Sequence, residues 1–188
     1  MKYILGLMPF FLLLSFRPPE GIYDITITTI DGNKIELSQF KGKKLLFLLL
    51  PVSSQDTSVS VNDIGQLQTK YRSSLVIIGI PSEEAGYKAQ DADNLKKMYK
   101  TPSANIIITE GMKVKRGREQ VTLFQWLTNK DLNHHFDHDV RGVGSKFFVD
   151  EEGELYAVMG PNLTSTSPLM GRILARPSGN GNKDKKDK

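Results

Sequence analysis

Two stretches of the chain are apolar at essentially every position. Residues 45–50 (Leu-Leu-Phe-Leu-Leu-Leu) and 75–80 (Leu-Val-Ile-Ile-Gly-Ile) each end at a proline, Pro51 and Pro81. Short unbroken apolar runs of this kind read as strands covered on both faces. Between them lies a polar segment, residues 53–58, and then Val61, Ile64, Leu67 and Tyr71 recur at helical spacing. The unit is a strand–helix–strand crossover, which predicts parallel strands and a right-handed connection. Upstream the period is two: Tyr23, Ile25 and Ile27 alternate with Asp24, Thr26 and Thr28, then Asp31-Gly32-Asn33 leads to Ile35 and Leu37. That predicts two strands joined by a tight hairpin, with Asp-Gly supplying the positive φ angles. Downstream, Leu95, Met98 and Tyr99 predict a second helix, residues 106–108 a short strand and residues 123–127 a third helix. Residues 147–149 and 155–158, joined by Asp150-Glu151-Glu152-Gly153, predict a second hairpin, and residues 167–174 a closing helix. No internal repeat is present.

The sum is an α/β chain with a central mixed sheet, an N-terminal β-hairpin and flanking helices, the thioredoxin-like plan. In open α/β sheets ligands sit at the carboxyl ends of strands, which directs attention to residues 51–58 and 81–90.

The first residues follow a different rule. Lys2 precedes an apolar run over residues 3–16, broken by small residues and Pro9, and too short to cross a bilayer comfortably. Residues 1–17 therefore read as a signal peptide or an N-terminal anchor, and the chain as exported, periplasmic or envelope-associated. A small-residue cleavage pattern is missing, with only Gly6 and Ser15 as candidates, so removal of the segment stays open. The domain itself spans residues 20–176. Residues 177–188 hold Gly, Asn, Ser, Lys and Asp without an apolar side chain after Pro177, and are expected to be disordered.

A length of 188 residues suits one domain. The cysteine count of 0 excludes disulfides, thiolate metal sites, lipidated cysteine and a thiol nucleophile, while leaving the compartment open. The net charge of +4 sits at the ends. Setting aside Lys2, Arg17 and the tail's lysines and aspartates leaves nineteen basic and nineteen acidic residues. A neutral body lacks the positive face that drives phosphate binding, so nucleic acid is not an expected partner.

Several pieces of the chain resemble the glutathione peroxidase family, in particular exported members of bacterial type. They are Tyr23-Asp24 with Asp31-Gly32, Leu37-Ser38-Gln39-Phe40-Lys41-Gly42-Lys43, Gln125-Trp126-Leu127-Thr128, and Lys146-Phe147-Phe148-Val149-Asp150 with Gly153. The resemblance implies the thioredoxin fold and a reaction carried by a peroxidatic Cys or selenocysteine, a Gln and a Trp-Asn pair. Thiolate sulfur attacks the peroxide O–O bond because it is polarizable and ionised at modest cost. None of the four groups stands here. The resemblance puts Ser54 or Gln55 at the Cys position, depending on register, Lys88 near the Gln position, Gly142 and Val143 at the Trp-Asn pair and Gly144 at the aromatic that follows. A serine hydroxyl ionises far above neutral pH and cannot take over peroxide reduction. Gly142 and Gly144 are expected to make their segment floppy.

Two readings follow. One is a non-catalytic binding or scaffold protein with an unknown protein or small-molecule partner, a degenerate site and no cofactor. The other is a peroxide-reducing antioxidant enzyme, as the family would imply, against which the missing cysteine weighs.

The remaining constellations are weaker. His134, His135 and His138 are all the histidines of the chain, and His134 and His138 would grip one metal if their segment were helical. The surrounding Asn133, Asp137 and Asp139 offer no apolar anchor, so a solvated loop without metal is expected. Lys113, Lys115, Arg116 and Arg118 form a basic patch with no aromatic interleaved to stack a base. Ser54 lacks a nucleophile-elbow glycine pattern. Trp126, the one tryptophan, is expected in the core.

Overall fold

The computed structural model describes residues 19–177 apart from residue 103. The targeting segment expected over residues 1–17 and the tail beyond Pro177 lie outside the described residues.

The two unbroken apolar runs form neighbouring parallel strands, β3 (Lys44–Leu50) and β4 (Leu75–Pro81), linked by helix α1 (Val61–Lys70). Their hairpin and crossover companions are β1 (Thr26–Thr28), β2 (Lys34–Glu36), β7 (Ile107–Ile108), β8 (Lys146–Val149) and β9 (Leu155–Met159). A two-stranded flap, β5 (Lys100–Thr101) with β6 (Ala104–Asn105), follows helix α2 (Ala92–Tyr99). Helices α3 (Thr122–Thr128), α4 (Lys130–Asn133) and α5 (Pro168–Ala175) complete the chain.

The main sheet has the order β7-β4-β3-β8-β9, parallel on the β7 side and antiparallel on the β8 side. Alternation along β3 divides the core. Leu46, Leu48 and Leu50 face α1, α2 and α5, whereas Leu45, Phe47 and Leu49 face α3 and the N-terminal hairpin. Each apolar face meets its own layer of helix or hairpin, so every residue of β3 is buried. Gly79 permits close packing within the sheet core, since a Cβ there would stand 2.5 Å from Leu50 Cδ1.

Two local expectations change. Ile22–Asp24 is a 3-10 turn rather than strand, closed by Asp24 Oδ2 accepting from the Gly21 amide at 3.2 Å. In the β1–β2 turn Gly32 alone has positive φ (+81°), because Gly32 N–H donates to Thr29 O and Asn33 pairs back to Thr29. One left-handed residue is enough for this longer turn, and Asp31 instead pairs with Lys96 and Lys100.

Candidate functional site

The carboxyl end of β3 runs through buried Pro51 into an exposed loop. Ser54 and Gln55 stand there in solvent, in a turn closed by Asp56 N–H donating to Ser53 O at 3.1 Å. Gln55 N–H donates to Ser53 Oγ at 3.2 Å, and Ser58 N–H to Asp56 Oδ1 at 2.9 Å. The hydrogen bonds from Ser58 hold the Asp56 carboxyl below the usual carboxylate range. Ser60 then caps α1 by accepting from Asp63 N–H. Tyr99 is fully buried and its hydroxyl has no hydrogen-bond partner among the described residues. Burial first, then the charge of Asp56, pushes that phenol well above its ordinary range.

At the end of neighbouring β4 the chain is braced by Glu84. Its carboxylate accepts from Ser82 Oγ (2.7 Å), from Val114 N–H (2.9 Å) and from Lys115 N–H (3.0 Å). Burial raises this group, but the hydrogen bonds from Ser82, Lys115 and Val114 prevail and leave it below its ordinary value. Lys88 lies beyond this brace, exposed, with its N–H given to Asp91 Oδ2 at 2.8 Å.

The third segment meets β3 from the other side. Gly144 N–H donates to Leu49 O at 2.9 Å and Leu49 N–H to Ser145 O at 3.0 Å, extending the β3–β8 ladder. Gly142 and Val143 are thereby held beside the end of β3. The expectation of a floppy segment is corrected here. Ser145 N–H closes on Gly142 O at 3.1 Å, and Arg141 N–H on Ser145 Oγ at 3.1 Å. Both glycines have positive φ, +109° at Gly142 and +82° at Gly144, so they are required by a fixed turn. A Cβ at Gly144 would press on Pro161 Cα at 3.3 Å. The backbone at Gly142 resists any larger side chain, including the Trp that the resemblance would put there.

Lys146 stands in one of the family-like pieces, but sequence reasoning gave it no role. It is 3% exposed and its Nζ donates to Gly144 O at 2.6 Å, directly beneath this turn. Burial pushes the amine down to about 8. The signal was a lysine heading the apolar run Phe147-Phe148-Val149.

The histidine loop is built differently from a metal site. Helix α4 ends at His134, whose φ is +62°, so His134 and His138 do not share a helical face. His135 Nε2 lies 2.8 Å from Glu154 Oε2. Arg116 takes Asp137 and the Thr128 carbonyl, and reaches Asp139 Oδ1 at 2.6 Å. Among the described residues no three metal-capable side chains gather. The basic patch is thus partly spent on ion pairs, including Lys113 to Glu119 at 2.8 Å. Asn133, expected in a solvated loop, is instead 1% exposed and organises the loop. It donates to Trp126 O and Phe136 O and accepts from the His135 and Phe136 amides. Trp126 is in the core, as expected.

The sheet thus brings three of the segments singled out, residues 51–58, 81–90 and 142–144, to one end. Within them Ser82 gives its hydroxyl to Glu84, but Ser82 is buried and the Glu84 carboxylate is taken up by the Val114 and Lys115 amides. The model of the glutathione peroxidase family matches residues 22–128. The chain belongs to the glutathione peroxidase family. The match ends at the close of α3, before the Gly142 turn. A relative from Nicotiana sylvestris, a "Probable phospholipid hydroperoxide glutathione peroxidase", is 26% identical over 152 residues, covering 79% of this chain and 89% of its own. The "Putative glutathione peroxidase 7, chloroplastic" of Arabidopsis thaliana is 32% identical over 153 residues, covering 80% of this chain and 64% of its own. Among solved structures, T. cruzi GPX1 superposes with a TM-score of 0.58 at 18% identity, covering 77% of this chain and 89% of its own. A thiol:disulfide interchange protein from Chlorobium tepidum gives 0.55 at 19% identity, covering 84% and 94%. These similarities show the thioredoxin-like fold.

Proposed function

We propose that this glutathione peroxidase-family protein is exported and serves a non-catalytic binding or scaffold role. The observation that carries the reading is the absence of any cysteine from the chain. The named activity of its relatives, hydroperoxide reduction, runs through a thiolate or selenolate that breaks the O–O bond and is then regenerated by a donor thiol. Ser54 and Gln55, in the loop after β3, offer no group of that softness.

The neighbouring positions support the same reading. The resemblance puts Lys88 near the family's Gln position and Gly142 and Val143 at its Trp-Asn pair, and neither supplies their hydrogen bonds to a developing charge. The turn is a well-made structural feature with two obligatory glycines and the Lys146 amine beneath it, so the pocket has been rebuilt as packing. A binding role makes use of what is left, a rigid end of a sheet with exposed loops.

Export rests on Lys2 and the apolar run that follows it. Cell fractionation with an antibody tests it, and full-length protein confined to the cytosol contradicts it. The binding role is tested by capture from an envelope extract on immobilised protein. A cysteine-containing relative serves as the control, and a partner retained by this chain alone is the expected result.

A further inference from the structure

The neutrality of the body hides an uneven distribution at the end of the sheet opposite the candidate site. The amino ends of β3 and β4 meet there, with Lys44 paired to Leu75. Helix α1 finishes there, where Tyr71 leads toward β4, and α5 finishes there too, since Lys44 Nζ donates to the Arg176 carbonyl at 2.6 Å; Asp63 lies with Lys70 and Gly171 in the groove between the two helices. The Arg176 guanidinium and the Lys44 amine both lie over the Tyr156 ring, at 5.8 Å and 5.5 Å from its centre. Lys44 is already neutralised by Glu151 at 3.1 Å. Lys43, Lys70, Arg72, Arg172 and Arg176 are all exposed, and none enters an ion pair among the described residues.

Carboxylates share this pole: Glu151 holds Lys44, and Glu151 and Asp150 also act on the Tyr156 phenol beneath Arg176. Asp150, Glu151 and Glu152 act on the Tyr23 phenol, and Asp24 closes its own turn. Burial and those charges push that phenol up to about 12. The two ends of the described chain leave from the same pole. Tyr23, just after Pro19, donates to Glu151 O at 3.0 Å, and Pro177 follows Arg176. In sequence, the apolar run of residues 3–16 with Arg17 lies immediately before this point, and Lys183, Lys185, Lys186 and Lys188 lie shortly after it.

We propose that this basic pole, formed by Lys43, Lys70, Arg72, Arg172 and Arg176, docks on an anionic phospholipid surface, with the candidate site facing away from it. Exposed cations free of carboxylate partners are attracted to anionic headgroups, and the attraction fades within a Debye length. A lipid surface is the occupant because a single apolar segment combined with a polybasic patch is the pairing that gives stable membrane attachment. The proposal does not depend on the loss of peroxidase chemistry.

The test uses the full chain in sedimentation with vesicles of phosphatidylcholine, alone or with about a third phosphatidylglycerol. Tighter binding to the anionic vesicles, falling as salt rises from about 0.1 M to about 0.5 M, is expected. A pole variant carrying Lys43→Gln, Lys70→Gln, Arg72→Gln and Arg172→Gln loses that preference by about fivefold per cation, more than a hundredfold in all. A control variant with Lys97→Gln, Lys115→Gln, Arg118→Gln and Lys130→Gln keeps it. Equal binding to both vesicles, or a pole variant that binds as the control does, overturns the proposal. So does a preference abolished by neutralising only the tail lysines, and release of the protein from the vesicles by duplex nucleic acid at equal charge overturns the choice of lipid.

Discussion

Lys146 makes the turn beneath the candidate site sensitive to pH in a direction that can be worked out. Its ordinary value is 10.5 and burial lowers it to about 8 in the folded protein. Between those values the unfolded chain binds the proton more readily than the folded one, so stability rises with pH across that window. Below about pH 8 the amine is charged in both states, and the cost of burying it is fully present. At about 1.4 kcal/mol per pH unit, the gap amounts to a penalty of about 3 kcal/mol, which vanishes above the unfolded value. Replacing the side chain, Lys146→Met, removes the penalty and also deprives the Gly144 carbonyl of its donor, a loss that does not vary with pH. Urea denaturation of both proteins from pH 7 to pH 10.5 separates the two effects. The stability of the variant relative to the parent is expected to fall by about 2–3 kcal/mol as the pH rises, with unchanged m-values. Parallel stability curves would show that the amine titrates normally and that it is not desolvated under the turn.

Three further perturbations address the neighbouring segments. Asn133→Ala removes a buried side chain that serves two carbonyls and two amides, and is expected to cost about 3 kcal/mol in urea denaturation, with faster amide exchange over residues 134–139. Glu84→Gln weakens the brace on Ser82, Val114 and Lys115 by about 1 kcal/mol at neutral pH. Because the folded value of Glu84 is depressed, the parent's advantage is present above the ordinary value of 4.5 and disappears as pH falls through the folded value, which acid-limb denaturation detects. Gly144→Ala is expected to destabilise by about 1–2 kcal/mol for its positive φ and further for its approach to Pro161, whereas Gly142→Ala meets only the backbone cost; equal losses contradict the packing assigned to Gly144.

The architecture was legible because its signals are local and redundant. The β3 and β4 runs are apolar throughout and each is closed by proline, and the α1 stripe follows one period over its whole length. The turn glycines were visible, but their meaning was not. Composition alone makes Gly142 and Gly144 look loose, and only the hydrogen bonds to Leu49 and within the turn show that positive φ is demanded there. Asn133 escaped for a related reason, since an asparagine beside histidines and aspartates looks solvated until the carbonyls of Trp126 and Phe136 converge on it. Lys146 was masked by the apolar run it heads. In each case the decisive partner is distant in sequence or lies in the backbone, where side-chain patterns carry no information.

The central claim, that the chain cannot reduce hydroperoxides, is tested most directly by a coupled assay with hydrogen peroxide and an organic hydroperoxide, using glutathione and thioredoxin as donors. The parent is measured beside Ser54→Cys, Gln55→Cys and a cysteine-containing relative. The account predicts no consumption by the parent, and at least about a hundredfold less by either cysteine variant than by the relative, because no donor replaces the missing Gln, Trp and Asn. Turnover by the parent contradicts the account outright, and a single cysteine variant that matches the relative contradicts the claim that the whole pocket has been rebuilt.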